Sequence, residues 1–548
     1  MKNLLKITLL SAVIAFFTSC ETGELELLVS PNDVTVDNAD PNFVLNDIQL
    51  TFNGIVGGYS GSSRAITRQI NQFESYSNNV SNLTLNGPWA QSYQMFSNID
   101  LLQGINDAQG DDGGIPYHIG MAQVIEAYAY MLLVDYLDDV PFTEAVQPSE
   151  FPNPNPDSGA AVYAAQLELL DEAIANLNLG DANNSRIPDD LYYSDGFESS
   201  NWIALANTLK LRANLNTGDV AGVNAAASSN IIDENDEDFQ FGFSTATNPN
   251  SVHPFFGGSY GASGAGARMS NQLFDFMNVG SPEGEFIETG TPVDPRARYY
   301  FYRQTGNDPT NSDIPCEGSN LYDYCYVGNA YWGRDHADNE GLPNDGLKRT
   351  AYGVYPGGGA FDANQFAPTP AVASSSASLS GAGIRPIYLA SFTQFSLAEG
   401  ALRIGSNGNP RSLLEAGIRS SLTKVRDFGN QVETVGEVDG EDVDFAMTNT
   451  EINNYVNSVL SEYDSAPNND ARLAIVAREY FIAAWGNGTE PYNLYRRTGL
   501  PDLQDPIIAA GEFPRSYQYP LTEVNGNPNI QQRAITSKVF WDTTGNLD

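Results

Sequence analysis

The sequence predicts a mainly α protein whose helices fall into two blocks separated by a loop-rich insert. Three observations carry this. Apolar residues recur at steps of three and four in several stretches, the spacing that lines one face of an α-helix. Those stretches gather at about 89–216 and about 387–486. Between them, over about 230–385, the periodicity stops. Gly, Ser, Asn, Pro and Tyr take over, with turn signals such as NPNS, GGSYGASGAG, NDPTNS and YPGGG. A long irregular stretch inside a compact domain is either functional or disordered, and its aromatic content argues against disorder. The expected organisation is one body with an insertion.

Composition narrows the function classes. The 548 residues include 68 Asp+Glu against 27 Lys+Arg, a net charge of −41. Neutralising phosphates needs clustered Lys and Arg, so nucleic acid is excluded as a partner. At 41% hydrophobic, the chain can bury a large core despite its acidity. No second long apolar run follows the first twenty residues, which excludes a multi-pass helical membrane protein. Three Cys in this length exclude a disulfide scaffold.

The elements follow in order. Residues 1–20 read MKNLLKITLLSAVIAFFTSC. Lys2 and Lys6 form a basic start, and Ile7 to Phe17 an apolar segment too short to cross a bilayer core of roughly 30 Å. Thr18 and Ser19 then precede Cys20. This pattern resembles a bacterial lipoprotein signal: residues 1–19 are removed, and Cys20 becomes a lipid-bearing N-terminus, several acyl chains giving stable anchoring. Residues 20–45, acidic with two Pro, read as a tether. The folded body is expected over 46–548.

Within it, 89–106 gives a weak helical pattern. Met121, Val124, Ile125, Tyr128, Met131 and Leu132 predict a helix over 118–137. Tyr163, Leu167, Leu170, Ile174 and Leu177 predict one over 160–177, and Trp202, Leu205, Ala206, Leu209 and Ala213 one over 200–216. The second block supplies 387–404, 411–426 and 470–485. No strict 34-residue repeat is present, so a helical-repeat scaffold rests on paired helices alone. In the insert, Cys316 and Cys325 enclose eight residues. With Cys20 lipidated, the pair reads as a local disulfide pinning a loop. A Zn site needs three or four ligands, and the nearest His is His336.

Six stretches in order carry a family resemblance: QVIEAYAYMLLVDYLDDVPFTEA (123–145), VYAAQLELLDEAIANL (162–177), WIALANTLKLRANL (202–215), VDPRARYYF (293–301), AREYFIAAWGNGTEPYNLYRRTGLPDL (477–503) and FPRSYQYPLTEVNGNPN (513–529). Together they resemble the SusD/RagB family of nutrient-binding outer-membrane lipoproteins, in the SusD-like branch with C-terminal RRTG-P and YP…E…N elements. Here those are Arg496, Arg497, Thr498, Gly499 and Pro501, then Tyr519, Pro520, Glu523 and Asn527. The resemblance implies tetratricopeptide-like helix pairs on one side and a loop-rich ligand-binding region on the other. It also implies a lipid-anchored surface protein capping a SusC-like TonB-dependent transporter, to which it delivers a captured glycan or, alternatively, a peptide or other nutrient. The helix-pair side, with 118–137 and 160–177, is implied to meet the transporter.

A glycan site needs flat aromatic faces and short polar groups or Arg, and no cofactor. The resemblance implies loop aromatics near the first helix and in the insert. Trp89 and Tyr93 fit the first, Tyr331 and Trp332 the second, with Arg334 placed to bond hydroxyls. YWGRDH reads equally as a structural turn in which Arg334 pairs with a carboxylate.

Enzymatic readings are thin. The G-x-S-x-G match at Gly257, Ser259 and Gly261 lies in low-complexity sequence without the strand and helix that a nucleophile elbow needs. Only His118, His253 and His336 could serve as triad bases. Carboxylate pairs for a surface glycoside hydrolase are uninformative among 68 acids. The acidic runs 233–239 and 439–444 are oxygen-rich enough to consider Ca²⁺, yet neither fits an EF-hand loop, so solvated loops and no metal are expected. The net charge favours neutral glycans over highly sulfated ones, unless Arg334 or other Arg build a local basic pocket.

Overall fold

The computed structural model describes residues 36, 38–109, 114–261, 263–280, 292–310, 320–322, 324–339, 345–366 and 378–547. The signal segment, Cys20, most of the tether and Cys316 lie outside the described residues.

The helices longer than seven residues are α1 (Pro41–Ile66), α2 (Asn86–Ala108), α3 (Pro116–Leu137), α4 (Gly159–Asn183), α5 (Ser199–Thr217) and α6 (Val220–Ala227), then α7 (Ala390–Arg403), α8 (Pro410–Gly429), α9 (Asn449–Ser465), α10 (Asn469–Ala483) and α11 (Thr489–Thr498). Consecutive helices pack in pairs: α1 with α2, α3 with α4, α7 with α8. The fold is mainly α, with the insert between the two blocks as expected. Every described strand lies in a two-stranded pair. The longest are β1 (Phe239–Gly242) against β2 (Ile384–Tyr388), which closes the two ends of the insert on each other, and the hairpin β3 (Val435–Val438) with β4 (Glu441–Asp444).

α1 starts at Pro41, where the Asp40 carboxylate accepts from the Asn42 amide. This helix starts five residues ahead of position 46. α1 buries Val44, Leu45, Ile48, Phe52, Ile55, Val56 and Tyr59, one stripe at helical spacing. α3 is buried almost all round, so it runs through the middle of the first block.

Buried ion pairs join distant parts of the chain. Arg212 of α5 reaches Asp135 of α3 and Glu490 of α11, each at 2.7 Å. Arg497 forks onto Glu399 of α7 at 3.0 and 2.8 Å. Arg296 pairs with Asp294 and Glu479, and Arg303 with Asp362. The C-terminal motifs belong to this framework. The Arg496 guanidinium is held over the Tyr492 ring at 3.8 Å and donates to the Arg515 carbonyl. Tyr519 donates to the Asp139 carbonyl at 2.6 Å, and Asn527 to that of Pro154 at 2.8 Å.

The acidic runs fold onto their own backbone. Glu237 accepts from the Asp233 and Glu234 amides in a capped turn, and 441–444 form β4 of the exposed hairpin. Among the described residues, no three His, Cys, Asp or Glu side chains gather where they could hold a metal ion.

Candidate functional site

The sequence-derived ligand residues sit inside packed structure. Trp89, in the first turn of α2, is 6% exposed, packed against Tyr93 at 4.8 Å and Tyr519 at 6.1 Å. Tyr93 is half-buried, its hydroxyl donating to the Pro141 carbonyl. Tyr331 is buried against Phe274 and the Arg303 guanidinium, at the wall of a hollow of about 350 Å³ also bordered by Arg298 and Phe445. Trp332 is buried, its indole N–H donating to the Asn307 carbonyl at 3.2 Å. Arg334 is neutralised by Asp338 at 2.7 Å. YWGRDH is thus a structural turn: Gly333 and Arg334 pair with Met269 and Ser270, and the Asp335 carboxylate accepts from Asn271 and the Tyr324 amide. Trp89 and Tyr93 pack in one place, Tyr331 in another. As stacking platforms all of these rings are largely covered, because large aromatics beside loops gain more from burial than from solvent. Cys325 is disulfide-bonded.

A different place has the required chemistry. A cleft of about 440 Å³ opens between α1 and the insert. From α1 come Gly57, Gly61 and Arg64, at i, i+4 and i+7, hence one face of the helix. The missing side chains make the room: a Cβ on Gly61 would meet nothing within 4 Å, while one on Gly57 would lie 2.6 Å from Arg385 Nη2. Arg64 falls in the last turn of α1, where a cation suits the helix C-terminus.

The insert supplies the opposite wall. The short helix Pro254–Ser259 is capped by His253, whose Nδ1 accepts from the Phe255 amide at 3.1 Å. Phe255 stacks on Tyr352 at 4.2 Å and 16°. Below Tyr352 lie Trp485, Tyr300 and Tyr355 in succession, so the platform continues as an aromatic column into the core. The Arg64 guanidinium lies 4.0 Å over the Phe255 ring, and its Nη1 donates to the Tyr352 hydroxyl at 3.1 Å. Arg385, from β2, donates to the Asn53 carbonyl and side-chain oxygen and faces the Phe243 ring.

The electrostatics are unusual for so acidic a chain, because among the described residues no Asp or Glu lines the cleft. Burial pulls the Arg385 guanidinium down to about 10, with the Arg64 charge adding to the effect. Burial, then Arg385 and Arg64, hold His253 well below the usual imidazole range, so it is neutral. Arg64 Nε is buried without a partner. A larger hollow of about 830 Å³ lies at the C-terminal segment, but Arg515 there is held by Asp542 and Phe513 is fully covered. It offers neither a free guanidinium nor an open ring.

Sequence reasoning missed Arg64, Phe255, Tyr352 and Arg385. One signal was available: the small-residue stripe of GGYSGSSR at 57–64, ending in Arg at helical spacing.

A paired-helix scaffold carrying one cationic, aromatic-floored cleft defines the class; comparison with known proteins supplies the family. Residues 39–315 match the family model described as "Starch-binding associating with outer membrane". Residues 367–535 match that described as "Susd and RagB outer membrane lipoprotein". The chain belongs to the SusD/RagB family. No curated protein is significantly similar in sequence. Among solved structures, a SusD/RagB family protein of Bacteroides thetaiotaomicron is 18% identical with a TM-score of 0.63, covering 93% of this chain and 100% of its own. A chitin-binding SusD homologue of Flavobacterium johnsoniae is 19% identical with a TM-score of 0.64, covering 92% and 100%. A SusD homologue of Parabacteroides distasonis is 17% identical with a TM-score of 0.65, covering 92% and 98%. At these identities the likeness is one of fold. No described helix is long and apolar enough to cross a membrane.

Proposed function

We propose that the protein captures an oligosaccharide in the cleft between α1 and the insert and delivers it to a SusC-like TonB-dependent transporter. In this reading it is held at the outer membrane by lipid on Cys20, facing outward, and Cys316 pairs with Cys325. The cleft carries the proposal: half-buried Phe255, backed by covered Tyr352 and set beside oriented guanidinium donors, suits the apolar parts and hydroxyls of sugar rings. Family membership supports the uptake role, and the chitin-binding homologue supports a glycan as ligand. The reading is of a binding protein without catalysis.

Affinity gel electrophoresis of the detergent-solubilised chain against a panel of polysaccharides tests it. Retardation on at least one glycan is expected, abolished by Gly61→Trp, whose side chain would fill the cleft. Equal retardation of that variant would move the site elsewhere. Release of reducing ends would overturn the non-catalytic reading, and two free thiols at Cys316 and Cys325 in the unreduced protein would remove the disulfide.

A further inference from the structure

We propose that the α1–insert cleft recognises a carboxylate borne on a sugar ring, so that the ligand is an acidic, uronate-type oligosaccharide. This rests on the glycan reading above and names the substrate class for it. The argument starts from charge pairing. Arg212, Arg296, Arg303, Arg334 and Arg497 are each buried against a carboxylate of the protein. Arg64 and Arg385 are not: their partners are the Tyr352 hydroxyl, Asn53 and the aromatic rings of Phe255 and Phe243. In so acidic a chain, none of the described Asp or Glu residues lines the wall of this cleft. Burying a cation without an anionic partner is costly, and a ligand carboxylate would supply the missing partner.

The geometry agrees. Arg64 is 7% exposed and lines the cleft, with its plane fixed by Phe255 and its Nη1 fixed by Tyr352. Its Nε is left over. A planar, oriented guanidinium matches a carboxylate by paired N–H donors. Half-buried Phe255 beside it, already carrying Tyr352 and Arg64 against its ring, gives the cleft an apolar surface against which a pyranose can pack. The empty space over Gly61 and Gly258, where an added Cβ would meet nothing within 4 Å, admits a ring close to the helix backbone. The net charge of −41 does not oppose this, since salt at about 0.15 M screens it beyond roughly 8 Å and recognition occurs at contact. The general preference for neutral glycans read from net charge is thereby replaced by a local one.

The test uses the same affinity gels, loaded with polygalacturonate, alginate and hyaluronan, their carboxyl-reduced counterparts, neutral xylan, laminarin and soluble chitin oligomers, a sulfated glycan, and polyglutamate. At least one uronate is expected to retard the protein. Carboxyl reduction, Arg64→Gln and Arg385→Gln are each expected to weaken that binding on the order of 10- to 100-fold, as loss of a charged hydrogen bond does. Because carboxyl reduction alters the ligand alone, it stands even where a variant folds poorly. Retardation by neutral glycans only, unaffected by Arg64→Gln, would overturn this inference and leave glycan capture intact. Binding only the sulfated polymer would overturn the carboxylate assignment. Binding only polyglutamate, or nothing, would overturn both readings.

Discussion

Arg212 meets two carboxylates away from the surface, being 1% exposed beside covered Asp135 and Glu490. Removing the cation strands both acids. Arg212→Met is expected to cost about 3–5 kcal/mol, the loss typical of breaking one side of a buried pair. Urea unfolding of the detergent-solubilised chain checks this; a loss below about 1 kcal/mol would mean the acids find other partners. The same contrast explains which residues were readable. Trp89 and Trp332 looked like ligand aromatics because their sequence neighbours are polar and turn-forming. Burial is set by residues far along the chain, Tyr519 for the first and Asn307 for the second. Arg64 and Arg385 could not be told from the other arginines, since lacking a carboxylate partner is a property of the fold.

At the scale of elements, α1 combines two kinds of glycine. A Cβ at Gly58 would lie 2.5 Å from Pro88 Cγ, at the rigid start of α2, whereas one at Gly61 would stand in open space. Gly58→Ala is therefore expected to destabilise by about 1–3 kcal/mol through overpacking. Gly61→Ala should stabilise by about 0.5–1 kcal/mol, since Ala is the better helix former. Opposite shifts in the urea midpoint are the signature; shifts of one sign would contradict the packing. These glycines also hid α1 from the sequence reading, because GGYSGSS has poor helix propensity although the apolar stripe ahead of it is regular. The helices α3, α4, α5, α7, α8 and α10 were legible from their periodicity. α9 carries a readable start, the capping box of Thr448 and Glu451. α11 was not readable: Thr489 to Arg497 are all buried, polar residues included, so no apolar stripe distinguishes a face.

For the whole molecule, acid is the informative stress. His118 is buried in the first turn of α3, its Nε2 2.7 Å from Asn42 Oδ1, and burial followed by the Arg186 charge pulls it down to about 4. His253 and His336 are held well below the normal range, mainly by burial. The folded state thus refuses protons that the unfolded chain takes up near pH 6.5. Their stabilisation is complete above that pH and is lost as pH falls toward the folded values, about 3 kcal/mol from His118 alone. Glu126 opposes them: burial and then Asp100 raise it to about 7, so its contribution improves as pH falls from about 7 to 4.5. Urea midpoints are expected to drop between pH 7 and pH 5, and to drop less in His118→Asn. A drop in His118→Asn as large as in the unsubstituted protein would mean that this imidazole charges without penalty.

The ion pair joining α3, α5 and α11 also sets an order of events. A chain emerging N-terminus first presents Asp135 and then Arg212, and must wait some 280 residues more for Glu490. Until that residue arrives Arg212 has Asp135 alone of its two carboxylate partners, and Tyr136 lacks the ring of Tyr492 beside it. Closing contacts of such long sequence separation is slow. The last tenth of the sequence therefore acts as a keystone. Chains truncated before Thr489 are expected to fail to close, and to be cleaved by dilute protease under conditions where the full chain resists.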